Sequence, residues 1–223
     1  MTTPAGPLDG LVPGGVVLVE AFGHRDDFAL LPEEETAIAH AVDKRRREFA
    51  TARFCARSAL GRLGIDPVPI LPGPRGAPVW PGGVVGSITH CAGYCASGVA
   101  LRREVAALGI DAEPAAPLPA GVLEAVALPE EELALRRLAV AHPEIPWDRL
   151  LFSAKEAVYK TWFPVTGLWL DFHEARIDLD PSGTFTAALL RPVPTGIDVP
   201  LAHLDGRWRI RAGYAGTAIA VPS

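Results

Sequence analysis

Apolar residues fall along this chain in two helical stripes and several short strand-like runs. From Arg46 to Leu63, the positions Phe49, Ala52, Ala56, Ala59, Leu60 and Leu63 come onto apolar faces at the roughly 100° step of a helix. From Trp147 to Trp162, Leu151, Ala154, Val158 and Trp162 form a second buried stripe. Gly83 to Thr89 and Cys95 to Leu101 read as strands, as do Phe185 to Leu190, Trp208 to Tyr214 and Thr217 to Val221. A further apolar, strand-like segment, Val105 to Asp111, joins the two groups.

The pattern repeats. Leu31-Pro32-Glu33-Glu34-Glu35 recurs as Leu128-Pro129-Glu130-Glu131-Glu132. In each copy proline suits the first helical position and the acids suit the positive end of the helix dipole, so each opens a helix. A long helix and then strands follow both copies. The expected architecture is α+β, with two similar halves over residues 1–107 and 108–223.

Composition narrows the function classes. With 49% hydrophobic and 21% charged residues over 223 positions, the chain has the make-up of a globular protein with a sizeable core. Its mean hydropathy of +0.21 comes from dispersed Ala, Val and Leu. No apolar run approaches the ~18 residues of a membrane span, which excludes a membrane protein. The first 24 residues carry no Lys or Arg, so a secretory leader is not expected and the cytoplasm is. Cys55, Cys91 and Cys95 make no disulfide framework and read as small buried hydrophobes. Cys91 and Cys95 stand near His90, yet no fourth zinc ligand matches them. A net charge of -5 argues against a general nucleic-acid binder.

That average hides local charge. Lys44, Arg45, Arg46, Arg47, Arg53 and Arg57 form a basic island relieved only by Glu48. Arg46, Arg53 and Arg57 share one helical stripe with few acids at i+4 spacing. The stripe is either a solvated face or, because arginine forks match phosphate geometry, a site for a phosphate-rich ligand. Asp111 and Glu113 alternate onto one side of an extended chain, where they would share a hard cation or simply decorate a turn. Glu156 and Lys160, four apart on the second helix, are a surface ion pair or part of the same site.

Gly109-Ile110-Asp111-Ala112-Glu113, followed by Phe152-Ser153-Ala154-Lys155-Glu156-Ala157-Val158-Tyr159-Lys160, resembles the signature of the Sfp-type 4′-phosphopantetheinyl transferases. Gly86-Ser87-Ile88-Thr89-His90-Cys91 is similar to another segment of that family. Arg45-Arg46-Arg47-Glu48-Phe49, running to Arg53 and Arg57, resembles its siderophore-synthetase branch. The resemblance spans about Pro32 to Asp171 and implies a single-chain pseudo-dimer with coenzyme A in the cleft between its halves. It matches Asp111, Glu113 and Glu156, with the Ala112 carbonyl, to the holders of Mg²⁺. Arg45, Arg53, Thr89 and His90 match groups on the nucleotide phosphates, and Gly73, Pro74 and Arg75 match the loop near adenosine. Pro72 stands where many relatives have lysine.

The implied reaction moves the phosphopantetheine arm of coenzyme A onto a serine of an apo acyl or peptidyl carrier protein and releases adenosine 3′,5′-bisphosphate. Glu156 is the expected base. Lys160, with Mg²⁺, is expected to stabilise the charge of the transition state, and Lys155 to neutralise phosphate or the neighbouring acids. The internal repeat suits a working monomer. Two alternatives stay open: a Mg²⁺-dependent phosphohydrolase using the same acids, and a non-catalytic binder of coenzyme A or carrier protein. Which carrier is served is not written in these motifs.

Overall fold

The computed structural model describes residues 5–25 and 28–223. In chain order it builds β1 (Val17–Phe22), α1 (Pro32–Ala37), α2 (Asp43–Arg62), β2 (Val84–Cys91), β3 (Tyr94–Leu101) and β4 (Val105–Pro114). There follow α3 (Val122–Val126), α4 (Pro129–Ala141), α5 (Trp147–Thr166), β5 (Ala175–Asp180), β6 (Thr184–Leu189), β7 (His203–Arg211) and β8 (Tyr214–Pro222). Single 3₁₀ turns lie at Pro74–Gly76 and Phe172–Glu174. The strands form two antiparallel sheets, β1-β3-β2 and β4-β8-β7-β6-β5. No helix among the described residues is long and apolar enough to cross a membrane.

The α+β duplication is plain in the topology. Each half runs strand, short acidic helix, 20-residue helix, hairpin, and the second strand of that hairpin pairs with the first strand of the half. Thus β1, α1, α2, β2 and β3 correspond to β4, α4, α5, β7 and β8. The second half adds α3 and the β5–β6 hairpin. The boundary expected between 107 and 108 lies within β4.

Both long helices begin earlier or run later than the apolar stripes. In α5 the stripe ends at Trp162, but the helix continues through Pro164 until Gly167 terminates it in the left-handed conformation (φ 68°). The run from Trp208 to Tyr214 is not one strand: Ala212 (φ 53°) and Gly213 (φ 81°) turn the chain between β7 and β8.

One apolar cluster lies between α2 and the first sheet, a second between α4, α5 and the second sheet. A third belongs to both halves, with Val85, Tyr94 and Ala96 against Leu108, Ile110 and Ala218. The sheets meet there at β2 and β4. Instead of a ladder, the Ile110 N–H donates to Ser87 Oγ (3.1 Å) and the Ala112 N–H to Thr89 Oγ1 (3.1 Å), which satisfies backbone donors of an edge strand. Cys55 and Cys95 are buried free thiols, and burial pushes the half-buried Cys91 thiol up to about 12.

Candidate active site

Asp111 sits in β4 at this seam, facing α5. The approach is close because residue 109 is glycine: a Cβ there would overlap the Ala157 carbonyl oxygen and the Thr161 hydroxyl. Asp111 is buried, and its Oδ1 accepts from Lys160 Nζ (2.6 Å) and Thr89 Oγ1 (3.0 Å). Its Oδ2 is buried with no partner among the described residues. Burial works against the Lys160 ammonium, but Asp111, Glu156 and Glu113 outweigh it and hold its pKa above the ordinary lysine value.

Glu156, one turn before Lys160, makes no hydrogen bond or ion pair among the described residues. Burial raises its pKa; Lys160 opposes the rise and Asp111 adds to it. Glu113 is also raised, by burial and then Asp111, while Arg149 lowers it and holds it at 3.1 Å. Arg149 was missed in the sequence. The signal was there, because Arg149, Ser153, Glu156 and Lys160 recur at helical spacing on α5.

Across the seam, Arg45 Nη1 donates to His90 Nε2 (3.0 Å), so the ring is a neutral acceptor with its proton on Nδ1. Burial, then the Arg45 and Lys160 charges, keep the His90 pKa below its ordinary value. The basic stripe is not left open as the absence of i+4 acids suggested. Arg46 reaches Glu35 (2.7 Å), Arg57 is paired with buried Glu34, and Arg53 lies over the Phe49 ring with Nε on the Ile70 carbonyl (2.9 Å). The acids come from α1 rather than from α2 itself. Burial brings Arg53 down to about 10.

Arg75 (φ 55°) reaches from the first half to the second and lies 4.8 Å over the Trp169 ring. Beneath it a cavity of about 250 Å³ is lined by Gly76, Ser87, Ile88, Glu156, Tyr159 and Lys160. A smaller one of about 80 Å³, lined by Lys155, Trp169 and Phe172, shares Glu156 and Tyr159 with it. Gly73 and Pro74 instead line a larger apolar groove with Trp80 and Phe163.

Lys155 is turned to different work from Lys160. Its ammonium donates to Glu131 Oε2 (2.8 Å) and to the carbonyls of Phe172 (2.8 Å) and Ala175 (3.0 Å). Burial lowers its pKa, and Glu131 opposes the fall.

Among the described residues, no three His, Cys, Asp or Glu side chains form a ready metal cage. The donor set still suits a hard cation: carboxylate oxygens, one of them buried and unpartnered on Asp111. Glu113 is meanwhile engaged by Arg149 and Ala112 directs its N–H to Thr89.

The matches to known proteins cover both sides of the seam. A model of the 4′-phosphopantetheinyl transferase N-terminal domain matches residues 33–100, and one of the 4′-phosphopantetheinyl transferase superfamily matches residues 107–212. The 4′-phosphopantetheinyl transferase Svp of Streptomyces mobaraensis is 54% identical over 215 residues, 95% of this chain and 87% of its own. The chain belongs to the 4′-phosphopantetheinyl transferase superfamily. Another relative, the transferase Npt of Nocardia iowensis, is 47% identical over 96% of this chain and 99% of its own. The enterobactin synthase component D of Salmonella typhi is more distant, 30% identical over 62% of this chain and 57% of its own. In this 4′-phosphopantetheinyl transferase the acids and Lys160 therefore lie in the superfamily-matched half, and Arg45, Arg75 and His90 in the N-terminal one.

Proposed function

We propose that this transferase binds coenzyme A across the seam and hands its 4′-phosphopantetheine arm to a serine of an acyl or peptidyl carrier protein. The Oδ2 of Asp111, unpartnered among the described residues while its Oδ1 holds Lys160, next to a cavity lined by Arg75, Glu156 and Lys160, carries this reading. Arg45 and His90, with Thr89 behind them, would take the terminal phosphate, and Arg75 in the loop from Gly73 the adenosine. Arg53 is buried over the Phe49 ring with its Nε on the Ile70 carbonyl, so it is tied into the first half rather than free for the phosphates. The small cavity lined by Glu156, Tyr159, Trp169 and Phe172 suits part of the arm, a thin, flexible chain of methylenes and amides that a narrow pocket can hold.

Mg²⁺ held by Asp111 and Glu156, with Glu113 and the Ala112 carbonyl alongside, would neutralise charge on the pyrophosphate. Lys160 stabilises the same charge from the protein side. Glu156 takes the serine proton as the serine oxygen bonds to the β-phosphorus. The bond from that phosphorus to the bridging oxygen breaks, and adenosine 3′,5′-bisphosphate leaves with the electron pair. The raised Glu156 carboxyl is better matched to this proton transfer than an ordinary one. In this reading residues 1–107 serve the nucleotide and 108–223 the chemistry, and because one chain supplies both, a monomer is the working unit.

The test incubates the protein with coenzyme A, Mg²⁺ and an apo carrier protein and weighs the carrier. A mass gain equal to the arm, lost in Glu156→Gln, is expected. Cleavage of coenzyme A with water as acceptor and no gain on the carrier would identify a phosphohydrolase instead. Binding without either product would identify a non-catalytic binder.

A further inference from the structure

The two acidic repeats build the same buried device. In α1, Glu34 Oε2 accepts from the Leu31 N–H (3.0 Å), its Oε1 from the Ile70 N–H (2.9 Å), and Arg57 of α2 pairs with it. In α4, Glu131 Oε2 accepts from the Leu128 N–H (2.7 Å), its Oε1 from the Ile177 N–H (2.7 Å), and Lys155 of α5 pairs with it. The local sequences agree: Phe54-Cys55-Ala56-Arg57-Ser58-Ala59 matches Phe152-Ser153-Ala154-Lys155-Glu156-Ala157.

The first half has the device without the acids. β1 pairs with β3 so that Phe22 faces Tyr94, and β4 pairs with β8 so that Pro114 faces Tyr214. Counting back from these positions, Val19 and Ala21 stand where the second half has Asp111 and Glu113, and Ser58 stands where it has Glu156. A cation on the long helix thus accompanies the fold in both halves, and the cation-binding chemistry in only one. A lysine ammonium has three N–H donors, and Lys155 directs them to Glu131 and two carbonyls, with none left for phosphate.

We infer that Lys155 and Glu131 are positioning residues: together they fasten α5 to the Phe172–Ala175 turn, and so aim Glu156, the next residue, into the cleft. The inference rests on the transfer reading above for its kinetic readout. Wild-type protein that transfers nothing to a carrier counts against that reading; wild-type transfer with the variants below judges this one. Glu131 lies on α4 away from the cleft, so Glu131→Gln isolates positioning from ligand contact. Glu131→Gln and Lys155→Met are each expected to lower kcat about 10- to 100-fold, with KM and Kd for coenzyme A within about twofold. The double variant should fall no further than the worse single one, because both remove the same clamp. Lys155→Arg, which places in α5 the cation that α2 already carries, should restore most of kcat. Lys155→Met or Lys155→Arg that weakens coenzyme A binding tenfold or more, with Glu131→Gln at wild-type kcat, overturns the inference. Should Lys155→Met fail to fold, wild-type kcat in Glu131→Gln is enough to overturn it.

Discussion

Asp111 is the residue on which the polar groups of the site converge: Lys160 and Thr89 on one oxygen and, among the described residues, nothing on the other. Its neighbour Glu156 is held ready at a cost to the fold. A carboxyl whose pKa is raised by folding weakens the folded state above its unfolded value of about 4.3, and has no effect below it, where both states are protonated. In the metal-free protein, Glu156→Gln should therefore unfold at a higher temperature than wild type at pH 7.5. The gain should close as the pH falls through the raised value towards 4; no gain at pH 7.5 would show that Glu156 is not strained. His90 is a second residue-scale case. Replacing it with alanine removes the neutral partner of Arg45, and affinity for coenzyme A should fall roughly 10- to 100-fold. Affinity for 3′-dephospho-coenzyme A should fall much less, and equal losses would move the terminal phosphate elsewhere. Asp111, Glu113 and Glu156 stood out as candidates because their spacing is local, two acids alternating on a strand and a Glu-Lys pair one helical turn apart, whereas His90 was named only through the family resemblance. The partner of Lys155 was not legible, since Glu131 lies on another helix and only the fold brings them together.

The elements follow their sequence where the pattern is long. α2 and α5 carry apolar stripes over several turns and were readable; β1, β5 and α3 are short and were not read. In β5 the alternation Ala175, Ile177, Leu179 against Arg176, Asp178, Asp180 is regular but covers only six residues. In β1 the apolar run is broken by Glu20, which the Tyr94 hydroxyl and the Leu8 N–H satisfy from elsewhere in the fold. The hairpins hold a second repeat, Ala92-Gly93-Tyr94 and Ala212-Gly213-Tyr214, whose spacing is shifted by the added β5–β6 hairpin. Their tyrosine rings pack 5.0 Å apart. In the β7–β8 turn both central residues are left-handed, which glycine accepts and alanine resists. Ala212→Asn creates the Asn-Gly pair that such a turn favours. It should stabilise by about 1 kcal/mol, a rise of about 2–4 °C in the melting temperature, with transfer unchanged. A melting temperature at or below wild type would mean the turn is set by its strands alone.

At the scale of the whole molecule, the duplication supplies symmetry of scaffold and asymmetry of charge, and the seam must stay rigid for the two to act on one ligand. Contacts that join the halves include the shared apolar cluster, the Ser87 and Thr89 bonds to β4, Arg75 over Trp169, and the N-terminal segment. In that segment Leu8 is fully buried in the shared cluster, Pro7 lies against Gly216 of β8, and the Asp9 carbonyl accepts from Arg209. Neither half keeps its apolar face covered without the other, so the chain should unfold as one unit. The sequence offers a probe for each side. Cys55, Cys91 and Cys95 all lie in the first half, whereas Trp147, Trp162, Trp169 and Trp208 lie in the second, with only Trp80 in the first. Denaturant midpoints from pulsed labelling of buried Cys55 and Cys95 should coincide with those from tryptophan fluorescence. Leu8→Ala, which opens a cavity inside the shared cluster, should cost about 2–5 kcal/mol and shift both midpoints together. If the thiols became reactive well before the fluorescence changed, the first half would open independently, and the seam would be a hinge rather than a joint.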